Sequence, residues 1–284
     1  MTSALSPLDA APVLQWGLPR LRDLPWRRTR DPWEVLVSEV MLQQTQVARV
    51  IPKWQAFLAE FPTTAACAAG SLGDVLRLWQ GLGYPRRARN LHAAAIEVER
   101  LGAFPSTLET LLELPGVGAY TARAVLAFAY EAEAAVVDTN IARVFARVNG
   151  CRLTAGQVQH LADHSLPVDE SWAWNQCLMD LGATVCTAAT PVCADCPLRS
   201  VCQWRGKGDD PSRGSAGVSR PQARFDGSDR QARGHLLRRL GAGSIERSEA
   251  PEVMSRPASV ADRLVAALVA EGLCVERDGR LSLP

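Results

Sequence analysis

From Trp33 to Gln203 apolar residues recur three and four positions apart, the spacing of one face of a helix, and strand-like alternation is scarce. Trp33, Leu36, Val37, Val40 and Met41 form one such stripe, and Ile141, Val144, Phe145 and Val148 another. Pro52, Pro62, Pro85, Pro105 and Pro115 punctuate the string and are expected at or between helix ends. Residues 206–229, dense in Gly, Ser, Asp and Pro, read as a linker. Beyond it a basic helix from about Arg230 to Leu240, a second from about Val260 to Glu271, and the hairpin signal "LCVERDGRLSL" predict a small winged-helix-like α+β module. The pattern as a whole predicts a mostly α protein without internal repeats.

Composition narrows the class. The 284 residues are 47% hydrophobic and 21% charged, enough apolar material for a core and unlike a disordered chain. No run approaches the roughly 20 apolar residues of a membrane span, and the N-terminus lacks a signal-peptide pattern, so the expectation is a cytoplasmic protein, nucleoid-associated if prokaryotic, with no membrane partner. A net charge of +1 does not argue for nucleic acid. The basic residues are unusual in kind, however: Lys53 and Lys207 are the only lysines among 31 Lys and Arg. Arginines cluster at Arg20, Arg22, Arg27, Arg28 and Arg30 and in "PRRAR" at 85–89. Arginine's planar fork suits phosphate, and a solvated surface explains such clusters equally.

Chemistry is suggested at three places. Cys186, Cys193, Cys196 and Cys202 fall within seventeen residues as C-x6-C-x2-C-x5-C. In a chain expected in the cytosol this density favours metal over disulfides, and zinc and an iron–sulfur cluster both fit the spacing. Cys67, Cys151, Cys177 and Cys274 are scattered and read as buried small hydrophobes. In "LPGVGAYTA", Pro115 ends one helix, and Gly116, Val117 and Gly118 form a turn whose N–H groups open the next. Such a turn is either a phosphate seat or a plain connection between helices. Among the acids, Glu39 points roughly 130° away from the apolar stripe, toward solvent or a cleft. Asp138 ends the apolar run "AAVVD" just before a helix and suits an N-cap.

Taken together, "LPGVGAYTA", "VVDTN" and the four-cysteine loop resemble the helix-hairpin-helix DNA glycosylases that carry a [4Fe–4S] cluster. Within them, "LPWRRTRDPWEVLVSEVMLQQTQVARVIP" and "LWQGLGYPRRARNLH" are similar to the adenine mismatch glycosylases, the MutY family. The likeness runs from Leu24 to Trp204, about two-thirds of the chain. It implies a two-lobed helix-hairpin-helix glycosylase fold with DNA across the cleft and adenine extruded into it, and it favours [4Fe–4S] on Cys186, Cys193, Cys196 and Cys202. It assigns Glu39 as the acid protonating adenine and Asp138 as the carboxylate stabilising the sugar cation. Tyr120 stands where strand-cutting relatives carry a lysine nucleophile, and a phenol forms no imine. The implied enzyme is monofunctional, leaves an abasic site, and uses Tyr120 to position the sugar.

For DNA binding the resemblance points to Trp26 and Arg27 at the adenine-pocket entrance, and to Gln44 and Tyr84 as wedges opposite the flipped base. It adds Gln43, Thr45 and Asn140, and within "MLQQT" Gln43 and Gln44 favour adenine over thymine. Gly116, Val117 and Gly118 would hold phosphate, with Arg86, Arg87 and Arg89 as weaker candidates. The implied domains are 1–30 with 135–206 as a cluster-bearing lobe, 31–134 as a six-helix lobe, 207–229 as linker and 230–284 as the C-terminal module. The last is too short for the lesion-reading domain common in the family. The expected substrate is double-stranded DNA with adenine opposite 8-oxoguanine or guanine, bound by a monomer. The alternatives are a thymine mismatch or oxidised-pyrimidine glycosylase of the same fold, and a non-catalytic iron–sulfur DNA-binding regulator.

Overall fold

In the computed structural model, which describes residues 5–218 and 224–284, the apolar stripes fold as helices. The chain divides into two units. The first takes the described residues of Met1–Pro32, Ser106–Leu108 and Gly118–Pro221, and the second those of Trp33–Pro105, Glu109–Val117 and Gln222–Pro284.

In the second unit, the helix Pro32–Leu42 is enclosed, with every residue from Trp33 to Met41 buried except Glu34. The helix Val47–Glu60 packs beside it through Trp54, whose Nε1 donates to the Glu34 carbonyl at 2.9 Å. Pro52 lies inside this helix and not at its end as expected. The missing hydrogen bond at Pro52 is outweighed by burying Val50, Trp54 and Phe57 on one face. Phe57 meets Phe61 and Trp79 edge-on. The helix Arg86–Leu101 lies against the helices Thr64–Ala69 and Leu72–Leu78 and ends at Gly102.

The C-terminal module belongs to this same unit. Ser228 caps the helix Asp229–Gly241, and the helices Ala250–Met254 and Ala258–Ala270 follow. Strands β1 (Ile245–Glu246), β2 (Val275–Arg277) and β3 (Arg280–Ser282) form an antiparallel sheet in the order β1-β3-β2, with Arg277 opposite Arg280. Asp278 and Gly279 both take positive φ (50° and 74°), the requirement of a two-residue hairpin turn. Leu236, Leu240, Ile245, Leu264, Val265, Leu268 and Leu281 fill a core between helices and sheet, which bears out the winged-helix-like reading.

The first unit is built around Phe145, Trp174 and Ile141, from the helices Ala10–Gly17, Ala119–Ala129, Thr139–Val148, Ala155–Ser165 and Ser171–Asp180. Gly17 sits so close to Cys177 that a Cβ there would lie 2.5 Å from its Sγ. The helix Ala119–Ala129 divides with this unit, although the sequence suggested the other lobe, because its inward face packs on Ser171–Asp180. Part of the expected linker is also packed here. Asp210 pairs with Arg147 at 2.7 Å, the Ser215 Oγ accepts from the Leu153 N–H at 3.1 Å, and the Ala216 N–H donates to the Leu153 carbonyl at 2.9 Å. Residues 219–223 of that linker lie outside the described residues. Among the described residues no helix is long and apolar enough to cross a membrane.

Candidate functional site

Of the two glycines in the hairpin turn, only Gly116 needs to be glycine on conformational grounds. Its φ is 78°, and a Cβ would stand 2.6 Å from the Cβ of Asn90 on the helix Arg86–Leu101. The Val117 N–H closes the turn on the Leu114 carbonyl at 3.1 Å, and Val117 is buried. Gly118, expected to need glycine's freedom as well, has extended backbone (φ −100°, ψ 178°), and a Cβ there would meet nothing within 4 Å. It forms the N-cap of Ala119–Ala129 without a side-chain cap, which leaves room for a ligand to approach the start of that helix. Half-buried Tyr120 is the second residue of the helix.

Asp138 caps the helix Thr139–Val148. Its Oδ1 accepts from the Ile141 N–H at 2.7 Å, and its Oδ2 from the Asn140 side-chain amide at 2.8 Å. The extended segment leading to it is pinned by buried Asn175, which accepts from the Val136 N–H at 2.9 Å and donates to the Ala134 carbonyl at 2.9 Å. Burial pushes the Asp138 carboxyl above its ordinary range. The Ile141 N–H, the Asn140 donors and the Arg143 charge pull the other way and favour the carboxylate. Capping and a held carboxylate therefore coexist at one residue.

Behind Asp138, Arg143 donates to the Asn140 side-chain oxygen at 2.8 Å, the Gly182 carbonyl at 2.6 Å and the Cys186 carbonyl at 2.8 Å. One turn later Arg147 reaches the Cys186 Sγ at 3.3 Å and the carbonyls of Cys186, Thr187 and Ala188. Its guanidinium lies over the Trp204 ring at 4.4 Å. Gly182 begins a route into the cysteine loop through a single π-type turn, Leu181–Val185, and a Cβ on it would strike Asn140 at 2.6 Å.

Cys186, Cys193, Cys196 and Cys202 line one cavity, walled by Val144, Arg147, Leu198 and Trp204. The Cys202 Sγ donates to the Arg147 carbonyl and accepts from the Arg205 N–H, both at 3.4 Å. Among the described residues, no three Cys, His, Asp or Glu converge closely enough to hold a single metal ion. Four sulfurs lining one space are a donor set for a soft metal centre, and zinc and an iron–sulfur cluster are both bound by such a set. Outside this cavity, burial raises the thiols of Cys67 to about 12 and of Cys177 and Cys274 to about 11.

In the second unit, Glu39 is buried at 4% exposure, which removes the solvent-facing alternative of the two that the helical angle allowed. The reason is tertiary, since its helix is covered on nearly all sides. The turn that follows carries Gln43, Gln44 and Thr45. Gln44 is exposed at φ 56°, and Tyr84, half-buried on the neighbouring loop, has φ 48°. Two non-glycine residues in the left-handed region on adjoining loops is a costly arrangement that surrounding structure must enforce. Arg87 enforces it. Its Nη1 donates to the carbonyls of Val40, Met41 and Gln43, and its Nη2 to Thr45 Oγ1 and the carbonyls of Leu82 and Gly83. Burial lowers its guanidinium to about 10.

Several of the expected arginines have protein partners. Arg87 points inward, with both terminal nitrogens engaged. Arg86 pairs with Glu271 at 2.8 Å, although it remains exposed, and Arg89 donates to the Glu271 carbonyl at 2.5 Å. Arg27 is buried at 8% exposure, and both of its terminal nitrogens engage Asp180 at 2.8 Å. Arg22 shares that aspartate at 2.6 Å, so the pair secures residues 22–27 to the helix Ser171–Asp180. Trp26 is buried.

Comparison with known proteins extends this geometry. The adenine DNA glycosylase of Mycobacterium tuberculosis (strain ATCC 25618 / H37Rv) is 44% identical over 284 residues, spanning 96% of this chain and 92% of that protein. This chain belongs to the adenine DNA glycosylase family. The family description "HhH-GPD superfamily base excision DNA repair protein" matches residues 37–167. Among solved structures, a thermostable thymine-DNA glycosylase superposes with a TM-score of 0.64 at 27% identity, over 69% of this chain and 94% of that one. A non-covalent endonuclease III–DNA complex superposes with a TM-score of 0.61 at 25% identity, over 68% and 93%.

As a member of the adenine DNA glycosylase family, this chain carries its hairpin, Glu39, Tyr120 and Asp138 inside the matched span. The mycobacterial relative matches 96% of this chain, so the likeness is not confined to that span. Sequence reading overlooked Arg143, Arg147, Asp180 and Glu271. Two arginines four apart in the otherwise apolar "IARVFARV" were a usable signal, since a charge on such a face is buried only with dedicated partners.

Proposed function

We infer that this protein is a monofunctional DNA glycosylase that removes adenine mispaired with 8-oxoguanine or guanine in double-stranded DNA, acting as a monomer. The observation that carries the reading is the held carboxylate: Asp138 is fixed by Ile141 and Asn140 beside a helix N-terminus, within a chain that buries a second carboxyl at Glu39. Cleavage of an N-glycosidic bond passes through an oxocarbenium-like state and needs one carboxyl as acid and another as anion. In this reading the buried Glu39 gives its proton to the adenine ring. At Asp138 burial raises the carboxyl, the surrounding donors oppose that push, and positive charge developing on the sugar would further stabilise the anion. Tyr120 has no amine, so water completes the reaction and the strand stays intact.

Phosphate would rest at Gly116, Val117 and Gly118, where the uncapped helix start is open. Gln44 and Tyr84, on their strained loops, would enter the stack opposite the extruded adenine. Cys186, Cys193, Cys196 and Cys202 would hold a [4Fe–4S] cluster, which supplies a rigid closure for the seventeen-residue loop. Arg147 would donate to the Cys186 sulfur there.

Single-turnover adenine release from duplexes pairing A with 8-oxoguanine, G or T, each split with and without hot alkali, tests the reading. Release from the first two, with strand breaks only after alkali, is expected. Glu39→Gln should abolish release, by about 10²–10⁴-fold, while DNA remains bound. Release of thymine from T:G duplexes and none of adenine would replace the assignment. Intact binding without release of any base would favour a non-catalytic DNA-binding regulator.

A further inference from the structure

The segment bearing Tyr84 is gripped by the C-terminal module. The Arg230 Nη1 on the helix Asp229–Gly241 donates to the Tyr84 hydroxyl at 2.8 Å. The Arg230 guanidinium also lies 5.8 Å from the Tyr84 ring centre and 5.6 Å from that of Phe225. Arg87 also lies 5.6 Å from the same tyrosine ring and holds the carbonyls of Leu82 and Gly83 just before it. Tyr84 is thus close to two guanidiniums, one on the helix that follows it and one from the module.

Further contacts keep the module in place around this loop. Glu271, at the end of the helix Ala258–Ala270, joins Arg86 at 2.8 Å to Arg233 at 2.5 Å, and its carbonyl accepts from Arg89. Gly241 comes so near Gln80 that a Cβ there would lie 2.0 Å from Nε2. Between the loop and the helix remains a cleft of about 640 Å³, with Gln44, Tyr84, Phe225 and Arg230 on its walls. Aromatic rings interleaved with arginines around a space of nucleotide size are the chemistry of an unstacked nucleic-acid strand.

We propose that Arg230 is a positioning residue for Tyr84, and that the C-terminal module thereby sets the angle and rigidity of the wedge that enters DNA opposite the extruded base. The module is then part of the base-opening machinery and not a cap on the fold. Positive φ at a tyrosine is a costly backbone state, and a charged donor on its hydroxyl adds to the hold of Arg87 on that state before DNA arrives. The inference rests on the reading of Tyr84 as a wedge residue.

The test uses the full chain in five forms: wild type, Arg230→Ala, Tyr84→Phe, the double variant, and Arg230→Lys as the conservative replacement. Three quantities are read: the single-turnover rate of adenine release, the dissociation constant and its salt dependence, and the fluorescence of 2-aminopurine beside the base opposite the adenine. The fluorescence is taken in a Glu39→Gln background, so that it reports unstacking without chemistry. Arg230→Ala should lower the release rate and the 2-aminopurine signal together, by about three- to tenfold, with a smaller change in affinity. Arg230→Lys should restore part of both. Tyr84→Phe should give a similar loss, and adding Arg230→Ala to it should cost little more.

Losses that multiply in the double variant would overturn the proposal. So would an Arg230→Ala change confined to affinity, with a salt slope reduced by about one, since that describes a phosphate contact. Thermal melting of each variant separates a misfolded protein from a mispositioned wedge, and Arg230→Lys keeps the charge if the alanine variant melts early. If wild type releases no adenine yet its 2-aminopurine signal depends on Arg230 and Tyr84 in this coupled way, the base assignment fails and the positioning stands. If adenine is released but the signal ignores both residues, the positioning fails and the assignment stands.

Discussion

Asn140 holds Asp138, its side-chain amide donating to Oδ2 at 2.8 Å. Asn140 is itself held, because its oxygen accepts from Arg143, and Arg143 is tied to the carbonyls of Gly182 and Cys186. The orientation of the carboxylate therefore depends on an arginine that no substrate need touch. Arg143→Gln should slow adenine release by about tenfold or more while changing the dissociation constant less, because it leaves buried acceptors unmet next to the carboxylate. Single-turnover rates set against titrated affinities check this, and equal losses in both would assign Arg143 to DNA binding.

The two hairpin glycines should separate stability from binding. Gly116→Ala introduces a Cβ at φ 78°, 2.6 Å from the Asn90 Cβ, and is expected to destabilise by about 1–3 kcal/mol. Gly118→Ala meets no neighbour within 4 Å and should change stability by less than about 1 kcal/mol. It should instead weaken DNA binding if phosphate rests there. Thermal melts and DNA titrations of both variants, side by side, decide the point.

An amine at Tyr120 should change the reaction. With lysine there, the sugar carbon can form an imine, so strand breaks are expected without alkali and borohydride should trap a covalent protein–DNA product. Wild-type protein should give neither. Trapping in wild type would mean that another amine already reaches the sugar.

Glu271 makes the attachment of the C-terminal module depend on pH. Arg86 and Arg233 beside it hold its carboxyl down to about 2, from an ordinary 4.5. A depressed carboxyl stabilises the fold fully above its unfolded value and loses that contribution as pH falls toward 2. Glu271→Gln should therefore cost on the order of 1–2 kcal/mol at neutral pH, with the gap to wild type closing below about pH 4. Denaturant melts across that window measure it, and a gap that persists undiminished at pH 2 would contradict it.

Cys202→Ser should remove iron and labile sulfide and lower the melting temperature of the first unit, since the sulfur lines the cavity against Arg147 and Arg205. Elemental analysis of purified protein is the check. Zinc in place of iron in wild type would overturn the cluster assignment.

Much of the fold was legible from local pattern. Apolar spacing marked the helices Pro32–Leu42 and Thr139–Val148, and Asp-Gly marked the turn between β2 and β3. Burial was less legible, because it depends on what covers a helix. Periodicity placed Glu39 off the apolar stripe, and that stripe alone could not show that the opposite side is also covered. The same limit applies to Arg27 and Arg87, whose partners Asp180 and the carbonyls of Val40 and Met41 lie far away in sequence.

By itself the sequence determined the helical class, the turn chemistry at Gly116, the four-cysteine spacing and the presence of a tyrosine where an amine would change the product, because each depends on residue identity and near neighbours. The tertiary structure decided which charges face inward, how Arg143 and Arg147 tie Asp138 to the cysteine loop, and that Arg230 meets Tyr84 across 146 residues of chain. Those pairings arise when packing brings distant segments together, and a buried charge keeps only the partners that the fold delivers to it.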